Sequence, residues 1–388
     1  MLPFASIDFF LFLAGTVILM LGCKYLFKRW ISFPGTIIIL SLLYLLFFYP
    51  KPLHVFLLVG WAYLITTLFI SFLKVRNKLT GILLLLIPLV LVKLNIHFDT
   101  YPFILNDLIS FAGLSYISFR ILSLYMDLEP GDKPVNFVRY LSYLTFTPTI
   151  LIGPIDRFEH FSKDLDGGYP QVNAPGFKQA MDWMLYGLIY KFVIAELISR
   201  YWLDIFVPES RWWLDMIMNM YGYYLYLFFD FAGYSYMAMG AGKMLGMNVP
   251  LNFNFPFLAR NPQDFWRRFH ITLGDWLKDY FFTPLYIFFS RMKGLKPYPL
   301  LRQNTALLLT FLLMGAWNGF SRNFLISGAL FGIYSMGHNT YVYYCRKKQR
   351  DVVFGRIPEK FVRVISIVIM FHLAAFAIYI FSGRCPYV

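Results

Sequence analysis

Two stretches of this chain hold side chains that hydrocarbon rejects. The first is Asp264-Phe265-Trp266-Arg267-Arg268-Phe269-His270-Ile271-Thr272-Leu273, which packs a carboxylate, two guanidinium groups and an imidazole among aromatic rings. The imidazole gains or loses a proton near neutral pH, and guanidinium groups bind anions. The second is Phe229-Asp230-Phe231-Ala232-Gly233-Tyr234-Ser235, a carboxylate beside a phenol and a hydroxyl inside an apolar run. An intramembrane carboxylate marks a functional site by default. Each stretch also has a plainer reading: an amphipathic anchor with His270 a bystander, and a helix-packing hydrogen bond at Asp230. Density weighs for chemistry in the first, which is flanked by Asn252, Asn254, Pro256, Pro262 and Pro284.

The elements that must carry these groups are membrane spans. The chain is 59% hydrophobic over 388 residues, and many of its apolar runs approach the ~20 residues that cross ~30 Å of hydrocarbon. The net charge of +14 comes from basic residues in short loops between those runs, which fits the positive-inside rule and not nucleic-acid binding. The first run, Ile7–Gly22, ends at Lys24, Lys28 and Arg29, the reverse polarity of a secretory signal. It reads as a first span with the N-terminus outside. Cys23, Cys345 and Cys385 form no metal or disulfide pattern, and no metal site is expected.

The charge pattern then lays out about ten or eleven crossings by the length rule. After Ile7–Gly22 they are Pro34–Tyr49, Leu53–Leu73, Leu79–Leu94, Leu108–Met126, Phe177–Trp202, Trp212–Leu245, Thr305–Trp317, Asn323–Tyr344 and Val362–Phe381, with re-entrant pieces between. Arg139–Pro154 is apolar but holds Pro148, Gly153 and Pro154, so a bent or re-entrant segment is expected. It leads into Asp156–Pro175, expected as a cytoplasmic polar loop. Asn261 as cap, Pro262 in the first turn and Asp264 near the positive dipole end start a helix. Phe265, Trp266, Phe269, Leu273, Trp276 and Leu277 continue it at helical spacing, predicting one amphipathic helix over Asn261–Tyr280 at the cytoplasmic interface.

These motifs, taken in order, carry a resemblance. Gly153-Pro154-Ile155-Asp156-Arg157, Lys191-Phe192-Val193-Ile194-Ala195, Phe229–Ser235, Asn252-Phe253-Asn254, Asp264–Leu273 and Trp276-Leu277-Lys278-Asp279-Tyr280 together resemble the membrane-bound O-acyltransferase family over most of the chain. Chain length and the Gly-Pro-Ile-Asp-Arg wording resemble its D-alanyl-transferring branch, which acts on (lipo)teichoic acid, more than the longer alginate O-acetylase type.

The resemblance implies an all-α polytopic fold, a single domain with spanning helices in 1–128, an acyltransferase core in 129–320 and C-terminal helices in 321–388, built as a ring of helices around a central funnel. It implies a multi-pass protein of the bacterial cytoplasmic membrane. It also implies acyl transfer to a hydroxyl from a thioester on the 4′-phosphopantetheine arm of a cytoplasmic acyl carrier protein (a coenzyme A thioester in the acetylating alternative), with no cofactor bound by the chain itself. The pathway's membrane-anchored acceptor or transfer proteins would be further partners. The hydroxyl needs a general base, an effect of ~10²–10⁴ in rate. In the family that base is the histidine of Trp-His-Gly, and here the tripeptide reads Trp317-Asn318-Gly319. An amide has no basic site at neutral pH. A second family histidine aligns with His270. A third, beyond Trp-His-Gly, aligns near Phe331 and is absent, and His338 lies too far along to replace it.

Three accounts of Asn318 stay open: an inactivating replacement in an ordinary enzyme, a non-catalytic homologue, or His270 acting as base alone. An asparagine that bonds between helices is the plain alternative at any intramembrane amide. The candidate tunnel residues are Asp230, Tyr234, Ser235, Asn252, Asn254 and Trp317. The candidates for carrier binding are Arg267, Arg268, Lys278 and Arg157, and the first three could equally meet anionic lipid. Arg120 inside a span needs a partner, Asp156, Asp230 or a substrate anion. Lys191 and Glu196 would pair across a helix turn or snorkel. His54, His97, His160 and His372 read as incidental. The competing functions are exopolysaccharide O-acetylation and a non-catalytic membrane scaffold or acyl-binding homologue.

Overall fold

The computed structural model describes residues 4, 6–27, 30–98, 113–206, 212–349 and 358–387. Among these the regular elements are helices: α1 Ile7–Tyr25, α2 Phe33–Phe47, α3 Pro52–Thr66, α4 Leu79–Phe98, α5 Leu114–Asp127, α6 Phe137–Thr145, α7 Phe158–Gly167, α8 Ala174–Leu188, α9 Trp213–Met244, α10 Pro262–Trp266, α11 Ile271–Leu277, α12 Thr283–Arg291, α13 Pro299–Asn318, α14 Arg322–Lys347 and α15 Glu359–Phe381. Wider π-helical turns extend α3 over Thr67–Phe72 and carry α8 onward through Ile189–Ala195 and Ser199–Leu203. Ile7–Tyr25, Pro52–Phe72 and Glu359–Phe381 are long and apolar enough to cross a membrane by themselves. Their large apolar side chains stand exposed, as at Ile18, Leu57 and Ile369, which suits a hydrocarbon solvent. The chain is an all-α polytopic membrane protein. The start of the expected Leu108–Met126 crossing lies outside the described residues.

The chain divides into two compact units, Met1–Ile189 with Gly233–Leu251, and Tyr190–Ala232 with Asn252–Val388. In the first, the expected break at Pro148 and Gly153 is found. Helix α6 stops at Thr145, one 3-10 turn covers Thr147–Thr149, and the backbone then runs irregularly to Arg157. This stretch is largely buried, the setting that irregular backbone at membrane depth requires. Arg120, 2% exposed on α5, holds it by donating to the Tyr143 carbonyl at 3.1 Å and the Thr149 carbonyl at 3.0 Å. Its partners are therefore carbonyl oxygens, with Asp156 adding a favourable field from nearby.

The stretch expected as a polar loop is different: α7 fills the first half of Asp156–Pro175. Phe158, Phe161 and Leu165 recur at helical spacing, and the rings of Phe158 and Phe161 pack on Tyr143. The second correction concerns His160, which is not incidental. Its Nδ1 lies 2.8 Å from Asp156 Oδ1, which also accepts from the Arg157 backbone N–H at 2.8 Å. Tyr143 closes the arrangement by donating its hydroxyl to the Asp156 carbonyl at 2.7 Å.

In the second unit α13 and α14 form a tight antiparallel hairpin. Glycines allow it: a Cβ at Gly315 would lie 2.5 Å from the Phe324 carbonyl oxygen, and one at Gly328 would lie 2.4 Å from that of Phe311. Close approach of this kind is the usual role of small residues between membrane helices. Asn304 and Asn339 add polar links across the pair, with Asn339 donating to Asn304 at 2.7 Å and Asn304 to Thr340 at 2.9 Å. Helix α15 is tied to α14 by Asn323 donating to the Phe381 carbonyl and Ser327 to the Ala377 carbonyl, each at 2.8 Å.

Candidate functional site

The segment over residues 252–277 of the second unit carries the histidine. It is not the single helix that its apolar spacing predicts. Asn261 does cap α10, accepting from the Asp264 N–H at 2.8 Å, and Arg268 pairs with Asp264 at 2.8 Å. The helix then ends at Trp266, and α11 starts only at Ile271. Between them the backbone turns aside to pair with 252–254. Asn254 N–H donates to the Arg268 carbonyl and Ile271 N–H to the Asn252 carbonyl, both at 2.9 Å, framing a bridge between Phe253 and Phe269. These non-local bonds take one donor, the Ile271 N–H, and one acceptor, the Arg268 carbonyl, that an unbroken helix would use.

His270 sits at the corner in the left-handed region, with φ +48° and ψ +51°. A non-glycine residue there carries ~1–2 kcal/mol of strain, and strain of this kind clusters at functional sites. The ring meets the edge of Phe231 at 4.7 Å. Asn252, fully buried, receives three contacts on its Oδ1: Thr272 Oγ1 at 2.9 Å, the Thr272 N–H at 3.3 Å and His270 Nδ1 at 3.1 Å.

Those contacts fix the tautomer. The Thr272 backbone N–H can only donate, so the Asn252 atom facing it is the oxygen. That same oxygen faces Nδ1, so Nδ1 carries the hydrogen and Nε2 keeps its lone pair. The segment lies between spanning helices rather than in one, and burial pushes the imidazole down to about 3. The ring is therefore neutral at physiological pH. It offers a fixed hydrogen-bond acceptor through Nε2.

The other predicted residues divide. Asn254 joins the site through its backbone, and Arg268 adds a 3.3 Å bond to the Asn254 carbonyl, so Arg268 is committed to holding the segment. Arg267 and Lys278 line a cavity of about 400 Å³ together with Trp266 and residues of α13 and α14. Asp230 pairs with Lys191, and Glu196 pairs with Arg200 at 2.5 Å, which corrects the expected Lys191–Glu196 pairing. Tyr234 and Ser235 are buried in the first unit, where the Tyr234 ring meets Phe4 edge-on at 5.2 Å. Arg157 gives its N–H to its neighbour Asp156 in that unit.

Asn318 is the last residue of α13, exposed, and its amide donates to the Met314 carbonyl one turn back at 2.8 Å. Trp317 is half-buried beside it. Phe331 is core, with its ring near those of Phe265, Trp266 and Phe311. Sequence reasoning quoted Phe231 and Thr272 within the two motif stretches but singled out neither as a site residue. It also missed the Asp156–His160 pair, whose four-residue spacing was a usable signal.

The structure thus sets a half-buried, tautomer-fixed histidine on a strained corner of a helical membrane chain. The sequence profile of the membrane-bound O-acyltransferase family matches residues 26–382, and the chain belongs to that family. It is an acyltransferase by that membership. It is 29% identical to the teichoic acid D-alanyltransferase of Bacillus subtilis (strain 168), over 99% of this chain and 98% of that protein. It is 30% identical to the teichoic acid D-alanyltransferase of Streptococcus thermophilus, over 77% of this chain and 74% of that one. Similarity to the probable alginate O-acetylase of Pseudomonas aeruginosa is 30%, over 61% of this chain and 44% of that protein.

Proposed function

We propose that this chain is a D-alanyltransferase of the bacterial cytoplasmic membrane, with its N-terminus outside, built to move D-alanine onto (lipo)teichoic acid. The donor is a thioester on the phosphopantetheine arm of an acyl carrier protein at the cytoplasmic face, and the acceptor is delivered by membrane-anchored partners. The observation that carries this reading is end-to-end similarity to a D-alanyltransferase, against similarity to less than half of the alginate O-acetylase.

In the reaction the acceptor oxygen forms a bond to the thioester carbonyl carbon. The carbon–sulfur bond breaks, and the hydroxyl proton passes through a base to the departing sulfur. His270 supports this step as a neutral, oriented hydrogen-bonding group. The base is what the chain lacks, because Asn318 offers an amide where the family carries imidazole. On this reading the chain binds donor and acceptor but transfers slowly.

The test is D-alanyl transfer in proteoliposomes with loaded carrier, comparing the chain as it stands with Asn318→His and His270→Ala. Asn318→His is expected to raise turnover by ~10²–10⁴. Full turnover by the unaltered chain that is lost in a folded His270→Ala variant would instead make His270 the base. Carrier binding with no turnover in any form would support a scaffold. Turnover with acetyl but not D-alanyl donors would support the acetylating alternative.

A further inference from the structure

The cavity beside Trp266 lies on a different face of the 262–278 segment from His270. Trp266, Arg267, Gly274 and Lys278 border it, whereas His270 and Thr272 turn to Asn252. We infer that this cavity binds the head group and upper chain of an anionic glycerophospholipid, a site separate from the acyl-transfer site.

Four observations carry the assignment. The first is charge. Lys278 is engaged by Asp275 at 3.0 Å and Asp279 at 3.5 Å, but among the described residues the Arg267 and Arg346 guanidinium groups have no carboxylate partner. A second cavity of about 400 Å³ shares Arg346 and adds Lys347. Basic pockets between membrane helices on the positive-inside face suit phosphate head groups.

The second is an unmade bond. Trp266 Nε1 is buried with no hydrogen-bond acceptor among the described residues. An indole N–H can only donate, and buried donors ordinarily find acceptors. The ester carbonyl of a glycerolipid is such an acceptor.

The third is the floor, where Leu307, Phe311 and Phe282 offer an apolar wall for an acyl chain. The fourth is position. The same hairpin exposes Leu309 and Ile333, as a hydrocarbon-facing surface does, and exposes Tyr341 and Tyr344 near its basic end. Tyrosines at that level mark the membrane–water boundary. The cavity therefore lies where a lipid of the basic-side leaflet can enter from the bilayer. A carrier's arm has the same phosphodiester chemistry, but its thioester must finish at the reacting groups, and this cavity is bordered by neither His270 nor Asn252.

The test uses the full chain in detergent, with phosphatidylglycerol and phosphatidylcholine of equal chains as probes and retained lipid read by native mass spectrometry. Phosphatidylglycerol should be retained preferentially, and the Arg267→Gln/Arg346→Gln variant should lose about fivefold of that preference per arginine. Leu307→Trp, which fills the floor and leaves the charges, should weaken retention of both lipids. Equal retention of the two lipids by the unaltered chain would overturn the proposal, as would an unchanged preference in the double variant. Displacement of the lipid by equimolar 4′-phosphopantetheine would assign the cavity to the carrier's arm instead. Should the double variant fail to fold, photoactivatable phosphatidylglycerol on the unaltered chain decides. Label on residues 262–282 or 299–318 supports the site, and label confined elsewhere sinks it.

Discussion

Asn252 Oδ1 accepts from His270 Nδ1 at 3.1 Å while the same oxygen takes both donors of Thr272. One buried amide thus sets the tautomer of the imidazole and the register between the 252–254 strand-like piece and α11. The pairing spans eighteen residues of sequence and crosses a corner that no local propensity favours.

Asn252→Ala should be costly out of proportion to its size. It removes the acceptor for two Thr272 donors and for His270 in a site with no exposure at residue 252. Each buried group left without a partner costs ~1–3 kcal/mol. A thermal unfolding midpoint within a degree of the unaltered chain would show that Asn252 holds nothing.

The left-handed corner predicts an inverted preference at position 270. Glycine normally destabilises relative to alanine by roughly 0.5–1 kcal/mol, but at φ +48° alanine carries ~1–2 kcal/mol of strain that glycine does not. His270→Gly should therefore unfold at a temperature equal to or above that of His270→Ala, although both lose the ring. The opposite order in a detergent melt would mean that the corner is not left-handed in the native chain.

The pH dependence of stability near neutrality rests on a different imidazole, that of His160. Its hydrogen bond to Asp156 holds its pKa above the ordinary histidine value. A raised folded pKa means that its stabilisation is complete below the unfolded pKa of ~6.5 and is lost as pH rises through the folded value. The imidazole is 46% exposed, so solvent screening keeps the effect to roughly 0–1 kcal/mol. The unaltered chain should lose slightly more thermal stability than His160→Gln between about pH 6 and pH 8. Parallel curves for the two would remove His160 from any role in holding the Gly153–Asp156 turn.

Sequence made the three long apolar spans Ile7–Tyr25, Pro52–Phe72 and Glu359–Phe381 legible because apolar length is a local property. Pro148 and Gly153 likewise announced where α6 would stop, and Asn261 announced the start of α10. What stayed hidden was set by pairing across distance. The break before Ile271 depends on Asn252, the partner of Lys191 lies thirty-nine residues away at Asp230, and Phe231 reaches the histidine from another helix. The aromatic spacing from Phe265 to Leu277 was real, but it served two short helices meeting at a corner and not one continuous cylinder. Asn318 was readable as a departure from the family's tripeptide, and its exposed place at the end of α13 was not.

The glycine contact between α13 and α14 bears on what Asn318 means. Gly315 abuts the Phe324 carbonyl with no room for even a methyl group, and position 318 follows within one helical turn. The location of that side chain is set by main chain pressed on main chain, upstream of whatever residue occupies it. A change at 318 therefore swaps one exposed side chain and leaves the two helices where they are. Evolution can edit that position as cheaply as a loop, although it ends a membrane helix.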